Sequence, residues 1–180
     1  PCVPDDIYGQ AKLEAERALL DMSKVIETVI IRSPLVYGPG MRANMHGLFR
    51  LAARSLPLPL ASIRNKRSLI AVDNLVSALV TGLESAQAAG RTYLVRDGQD
   101  VSTPELIRAI SSALNVPCRL FPMPASVLKL SAAMIGAGEM SQRLFQSLAV
   151  DDSRIRRELG WSPPLTLEQG LARAAAGYKK

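Results

Sequence analysis

Aromatic side chains are scarce in this chain, at 4 % of its residues, so any core it builds is mainly aliphatic. Cysteine is almost as rare. Cys2 and Cys118 are far apart, no CxxC occurs, and His46 is the lone histidine. That set gives neither a disulfide framework nor a metal site, and a reducing cytoplasm is the simplest setting. No run reaches the roughly 18–20 apolar residues of a membrane span, and no signal peptide opens the chain. An initiator Met is also missing: Pro1 comes first, as in a processed protein or a piece of a longer one. What remains is ordinary globular material, 48 % hydrophobic and 21 % charged, with a mean hydropathy of +0.11. Its 180 residues suffice for one good core, or a core with a small appended lobe. The net charge of +6 would suit nucleic acid, an anionic membrane face or a phosphorylated small molecule. Apart from RNKR at 64–67 and RIRR at 154–157 the basic residues are dispersed. Neither run is interleaved with the aromatics that a nucleic-acid strip wants.

Along the chain, helix and strand signals alternate and then give way to helices. Residues 5–23 have helical spacing, with Asp5 or Asp6 as a cap. VIETVIIR, 25–32, is a β-branched run of the buried parallel kind, and SPLVYGPG, 33–40, reads as a loop. A helix is expected over 44–56 and a strand over 68–72. Asp73 or Asn74 would then cap a helix to about Ala86, before a strand over 91–95. Ser102 or Thr103, with Pro104, opens a helix to about Leu114. CRLFPMP, 118–124, should be extended. Further helices are expected over 125–135, 139–148, 151–159 and 166–178. The pattern is that of an α/β chain with a C-terminal lobe.

The stretch DDIYGQAKLEAE, 5–16, sets Tyr8 and Lys12 four residues apart, on one face of a helix. A tyrosine with a pKa near 10 is a poor base at neutral pH, and lowering it about three units takes roughly 4 kcal/mol. One ammonium about 4 Å away supplies around that much at an effective dielectric near 20. A second positive charge, such as an oxidised nicotinamide, would complete the shift. Such a tyrosine can take a proton from an alcohol while hydride leaves for a cofactor. The plainer alternative is a packing tyrosine beside a solvated lysine.

Four segments, in order, resemble the C-terminal portion of the extended short-chain dehydrogenase/reductases, and specifically the nucleotide-sugar epimerases and dehydratases. YGQAKLEAE is similar to the family's YGxSKxxAE helix, with Ala11 where Ser is frequent. IIRSPLVYGPG, 30–40, resembles its RPxxVYGPG strand and loop. KRSLIAVDNLVSAL, 66–79, resembles its RxFIHVDDLVxA segment, and DDSRIRRELGWSPPLTLEQGL, 151–171, its terminal LGWxP segment. The resemblance implies the second half of a Rossmann-type parallel sheet plus a mainly helical C-terminal substrate-binding lobe. Residues 1–40 would be the tail of the dinucleotide-binding domain and 41–180 mostly the lobe, with segments near 68–95 returning to the sheet. The family's glycine-rich phosphate loop has no counterpart among these residues.

The same resemblance assigns roles. Tyr8 would be the acid/base, and Lys12 would lower its pKa and bond the nicotinamide ribose of NAD. Ser33, Pro34, Leu35 and Val36 would meet the nicotinamide, with Ser33 also near substrate; a plain strand-to-loop turn is the alternative. Asn44 and Arg67 would bind the diphosphate of a nucleoside-diphosphate sugar, UDP-linked by expectation. The alternatives are a helix cap for Asn44 and a solvated basic turn for Arg67. Arg64 and Lys66 could add field, Asp73 reads as a cap, RIRR as an exposed helix face, and LGW, 159–161, as packing. The expected activity is 4-epimerisation of a UDP-hexose through a 4-keto intermediate. A 4-keto reductase, a 4,6-dehydratase or a non-catalytic substrate-binding fragment stands beside it. No metal, nucleic acid or membrane partner is expected, and a homodimer is the assembly considered.

Overall fold

The computed structural model describes residues 7–124, 127 and 145–178. Helix α1 spans Ile7–Asp21 and runs into a short 3-10 turn. Strands β1 (Val29–Arg32) and β2 (Leu35–Tyr37) follow, then helix α2 (Ala43–Ala53). Strand β3 (Arg67–Ala71) passes directly into helix α3 (Val72–Glu84). Strands β4 (Arg91–Leu94) and β5 (Asp100–Val101) lead to helix α4 (Thr103–Ala113). Helices α5 (Ser153–Leu159) and α6 (Leu167–Ala176) close the chain.

The strands form two small sheets. β1 pairs with β4 in parallel, from Val29 opposite Arg91 to Arg32 opposite Leu94. β2 pairs with β3 in parallel, from Leu35 opposite Leu69 to Tyr37 opposite Ala71, and β5 joins β3 antiparallel. Each parallel pair needs a long crossover: the segment carrying α2 joins β2 to β3, and α2 and α3 both lie between β1 and β4. Leu69, Ile70 and Ala71 of β3 are apolar in succession because both faces of the strand are covered there. Leu69 joins Tyr37, Phe49, Leu106, Ile110 and Leu171 under α2, α4 and α6, whereas Ile70 joins Tyr93, Val95, Ala78, Ile155 and Trp161. Trp161 thus serves packing, as LGW suggested. The α/β class holds.

Local chemistry fixes the helix ends. Ser102 caps α4 with Glu105 reaching back, and Thr166 does the same for α6 with Gln169. α5 stops at Gly160, whose φ of +64° suits glycine.

Several expectations need correction. The strand expected over 25–32 begins only at Val29, because the N–H groups of Val25 and Ile26 close a turn onto Met22 O. The loop over 33–40 contains β2, whose pairing with β3 outweighs the Pro and Gly signals. Neither Asp73 nor Asn74 caps α3: Ala71 holds that position, with no side-chain cap. Asp73 pairs with Arg173 at 2.7 Å, and Asn74 turns into the core. RIRR does not merely decorate a surface. Arg156 pairs with buried Asp152 at 2.7 Å, and Arg154 lies over the Tyr93 ring and bonds Glu158. The helix expected to end at 148 stops sooner, since Leu148 bridges to Arg67 beside β3. The rest of that helix, the one over 125–135 apart from Val127, and the Asp5 or Asp6 cap lie outside the described residues.

Candidate functional site

Tyr8 and Lys12 share one turn of α1. The Tyr8 side chain lies outside what is described, and Lys12 is exposed. Glu16 continues the same stripe, four residues on. Its carboxylate accepts both a 2.5 Å bond from Nη2 and a 3.0 Å bond from Nε of Arg32, the last residue of β1. A two-point guanidinium–carboxylate contact fixes orientation as well as distance. The 8–12–16 stripe is therefore tied to the carboxyl end of β1, where Ser33 begins the next segment. Sequence reasoning missed this tie, although the i, i+4, i+8 spacing of Tyr8, Lys12 and Glu16 was there to find.

Beyond β1, Ser33 is exposed, Pro34 is buried, and Leu35 and Val36 are half-buried as they enter β2. Arg67 stands at the matching end of β3. The register sets Leu35 opposite Leu69, and two residues upstream of each stand Ser33 and Arg67. Arg67 is also flanked by Val101 of β5 and by Leu148. The adjoining backbone is pinned by buried Asn65. Its Oδ1 accepts from Thr103 N–H at 2.8 Å, and its Nδ2 donates to Thr103 Oγ1 and Gln146 O, both at 3.0 Å. Arg64 and Lys66 on either side are exposed.

Arg67 differs from the other half-buried arginines. Arg32, Arg96, Arg154 and Arg156 each hold a carboxylate. Among the described residues no carboxylate pairs with Arg67, and burial holds its guanidinium below the ordinary arginine value. A half-buried cation without a counter-ion is costly unless an anion arrives. The planar fork of donors suits phosphate oxygens.

Asn44 lies in the first turn of α2 and is exposed. It is not the helix cap, since Arg42 takes that position without a side-chain bond. β2 and the loop over 38–42 lie between Ser33 and Asn44 in the chain, and the β2–β3 register sets Arg67 at the end of the strand pair that Ser33 leads into. His46 is engaged with the Tyr178 ring, centroids 5.4 Å apart. Among the described residues no group of three or more His, Cys, Asp or Glu could hold a metal, and no helix is long and apolar enough to cross a membrane.

The polar group that sequence reasoning missed altogether is Asp97, only 6 % exposed. Its Oδ1 accepts from Ala71 N–H at 2.8 Å and from Asn74 Nδ2 at 2.7 Å, and its Oδ2 accepts from the Tyr37 hydroxyl at 2.6 Å. Burial pushes the Asp97 carboxyl up, against the pull of those three bonds. Burial first, then Asp97, pushes the Tyr37 phenol far up, so Tyr37 remains a neutral donor. In the sequence Asp97 is one polar residue of a turn. Nothing local marks it as buried, because Tyr37 lies sixty residues away.

The chain spans about half the length of the curated relatives it matches. It is 42 % identical over 178 residues to a UDP-glucose 4-epimerase of Vibrio cholerae, a match covering 97 % of this chain and 54 % of that protein. Its fold matches a UDP-glucuronic acid 4-epimerase from Bacillus cereus solved with NAD, at a TM-score of 0.73 and 21 % identity, covering 98 % of this chain and 52 % of that one. It also matches a dTDP-glucose 4,6-dehydratase from Bacillus anthracis, likewise solved with NAD. There the TM-score is 0.71 at 19 % identity, with 99 % of this chain and 53 % of that one covered. Residues 1–95 match the model of the NAD dependent epimerase/dehydratase family. With the Tyr8–Lys12 helix, the strand-and-loop segment and Arg67 all inside that match, the chain belongs to the NAD dependent epimerase/dehydratase family.

Proposed function

We propose that this chain carries the acid/base and substrate-binding residues of an enzyme that epimerises C4 of a UDP-hexose. The observation that carries the reading is Arg67, half-buried and, among the described residues, without a carboxylate partner, at the end of the strand pair that Ser33 adjoins. A diphosphate supplies the missing counter-ion, and Asn44 adds an amide able to donate to phosphate and accept from a sugar hydroxyl. Likeness to the Vibrio cholerae UDP-glucose 4-epimerase favours UDP and C4.

The residues present fit one end of NAD. Lys12, exposed on α1, would hold the nicotinamide ribose, and Ser33 to Val36, just past the carboxyl end of β1, would face the ring. A pyrophosphate cradle is not among them: Gly38 and Gly40 follow a strand but do not form the GxGxxG turn that opens a helix. When bound, NAD supplies a reversible hydride acceptor. Tyr8 removes the proton from the C4 hydroxyl as a ketone forms, and returns it after the sugar has presented its other face. Lys12 keeps the tyrosine acidic enough for this exchange, and the Glu16–Arg32 pair keeps the helix stripe at the end of β1.

The test follows UDP-glucose and UDP-galactose by NMR in the natural full-length protein. Interconversion without net NADH consumption is expected. Tyr8→Phe should lower turnover by at least about a hundredfold, with UDP-sugar affinity nearly unchanged. Full activity in Tyr8→Phe would remove the acid/base role. No interconversion of the two, with stoichiometric oxidation of NADH when a nucleoside-diphosphate 4-keto sugar is supplied, would assign a 4-keto reductase instead.

A further inference from the structure

Helix α6 lies on the segment that leads from β2 to Asn44, and glycines make this approach possible. A Cβ at Gly170 would meet the Tyr37 hydroxyl at 2.5 Å and Ala71 Cβ at 3.0 Å. Seven residues on, and so on the same face, a Cβ at Gly177 would meet Pro39 Cβ at 2.9 Å. From another element, Val72 at the start of α3 closes on Gly38, where a Cβ would sit 2.5 Å from Val72 Cγ1. Met41 N–H donates to Gly38 O at 3.2 Å and turns the chain towards α2. The loop after β2 is thus held between α3 and α6.

One buried contact joins these elements. Tyr37, 1 % exposed, ends β2. Its hydroxyl lies 2.6 Å from Asp97 Oδ2 and 3.3 Å from Leu167 O, at the start of α6. Asp97 in turn holds Ala71 N–H and Asn74 Nδ2, and Asn74 holds Leu165 through both its N–H and its C=O, each at 2.9 Å. Loop, strand β3, helix α3 and the approach to α6 all meet at this pair.

We propose that α6 is a clamp that positions the loop over 38–42, and through it Asn44, for nucleotide binding, with the Tyr37–Asp97 pair as its pin. Tyr37, Asp97 and Gly170 are positioning residues, which act through the loop. The proposal rests on the reading of Asn44 and Arg67 as a nucleotide-sugar site.

The experiment titrates UDP calorimetrically into the full protein and follows amide hydrogen exchange over residues 40–44. Tyr37→Phe and Asp97→Ala should each weaken UDP about tenfold and speed exchange in that loop. The double variant should bind no worse than the weaker single one, because both remove the same contact. Asp97→Asn keeps an acceptor for Ala71 N–H and Asn74 and gains a donor for Tyr37, so it should retain near wild-type affinity. Gly170→Ala should reproduce Tyr37→Phe; if it does not fold, Tyr37→Phe decides alone. A role confined to stability would lower the melting temperature and leave UDP affinity of the folded protein unchanged. Affinity within twofold of wild type in Tyr37→Phe therefore overturns the proposal while the site reading stands. A wild-type protein that takes up no UDP overturns both.

Discussion

Asp97 shows how a buried residue couples stability to pH. Its carboxyl is pushed above the ordinary value of 3.8, chiefly by burial. A group whose pKa is raised on folding stabilises the fold fully below its unfolded pKa, and that contribution is lost as pH rises through the folded value. Asp97→Asn removes the titration while keeping the shape. Urea unfolding of both proteins from about pH 4 to pH 7 should show wild type losing ground to Asp97→Asn as pH rises. A wild-type advantage that grows with pH would mean that the three hydrogen bonds outweigh burial. Arg67 is the converse case, legible in sequence as one of four residues in a basic run, though not as the one that is half-buried with no carboxylate partner among the described residues. That distinction needed Asn65, which pins the run, and Leu148, which flanks it from eighty-one residues away.

Helices announced themselves well where their ends carry local chemistry. The Ser102–Glu105 box and the Thr166–Gln169 box stand in the sequence as written, and α4 and α6 begin there. Ser102→Ala should cost about 1 kcal/mol, read as a lower urea midpoint with an unchanged slope. No loss would mean that the buried faces of α4 alone fix its start. α3 was harder, because Asp73 and Asn74 both read as caps. Tertiary demand decided otherwise: Asn74, Ala78 and Gly82 form the face that packs inwards, and Gly82 sits against Val29 and Ile31 of β1. β2 was read as loop because three residues between Pro34 and Gly38 carry little signal of their own. Its partner strand, thirty-four residues on, makes it a strand.

At the scale of the whole chain, the two sheets meet at β3, whose opposite faces serve the two larger cores. Among the described residues β1 pairs only with β4, which leaves its other edge open. α1 exposes Ile7, Leu19 and Leu20, and α3 exposes Val72, Val76, Leu79, Val80 and Leu83. Open edges and apolar stripes of this kind are surfaces that proteins usually cover. The family was legible in four short segments because their residues are local in sequence. The tie of α1 to the carboxyl end of β1, and the place of Arg67 at the end of β3 that Ser33 adjoins, were not, since they depend on the Glu16–Arg32 pair and on strand register. The most direct test of a nucleotide sugar at that end is a calorimetric titration of UDP-glucose into wild type and Arg67→Ala, with folding of both checked by circular dichroism. Saturable binding in wild type, weakened at least about tenfold in Arg67→Ala, is the predicted result. An equal Kd in the two proteins would contradict it.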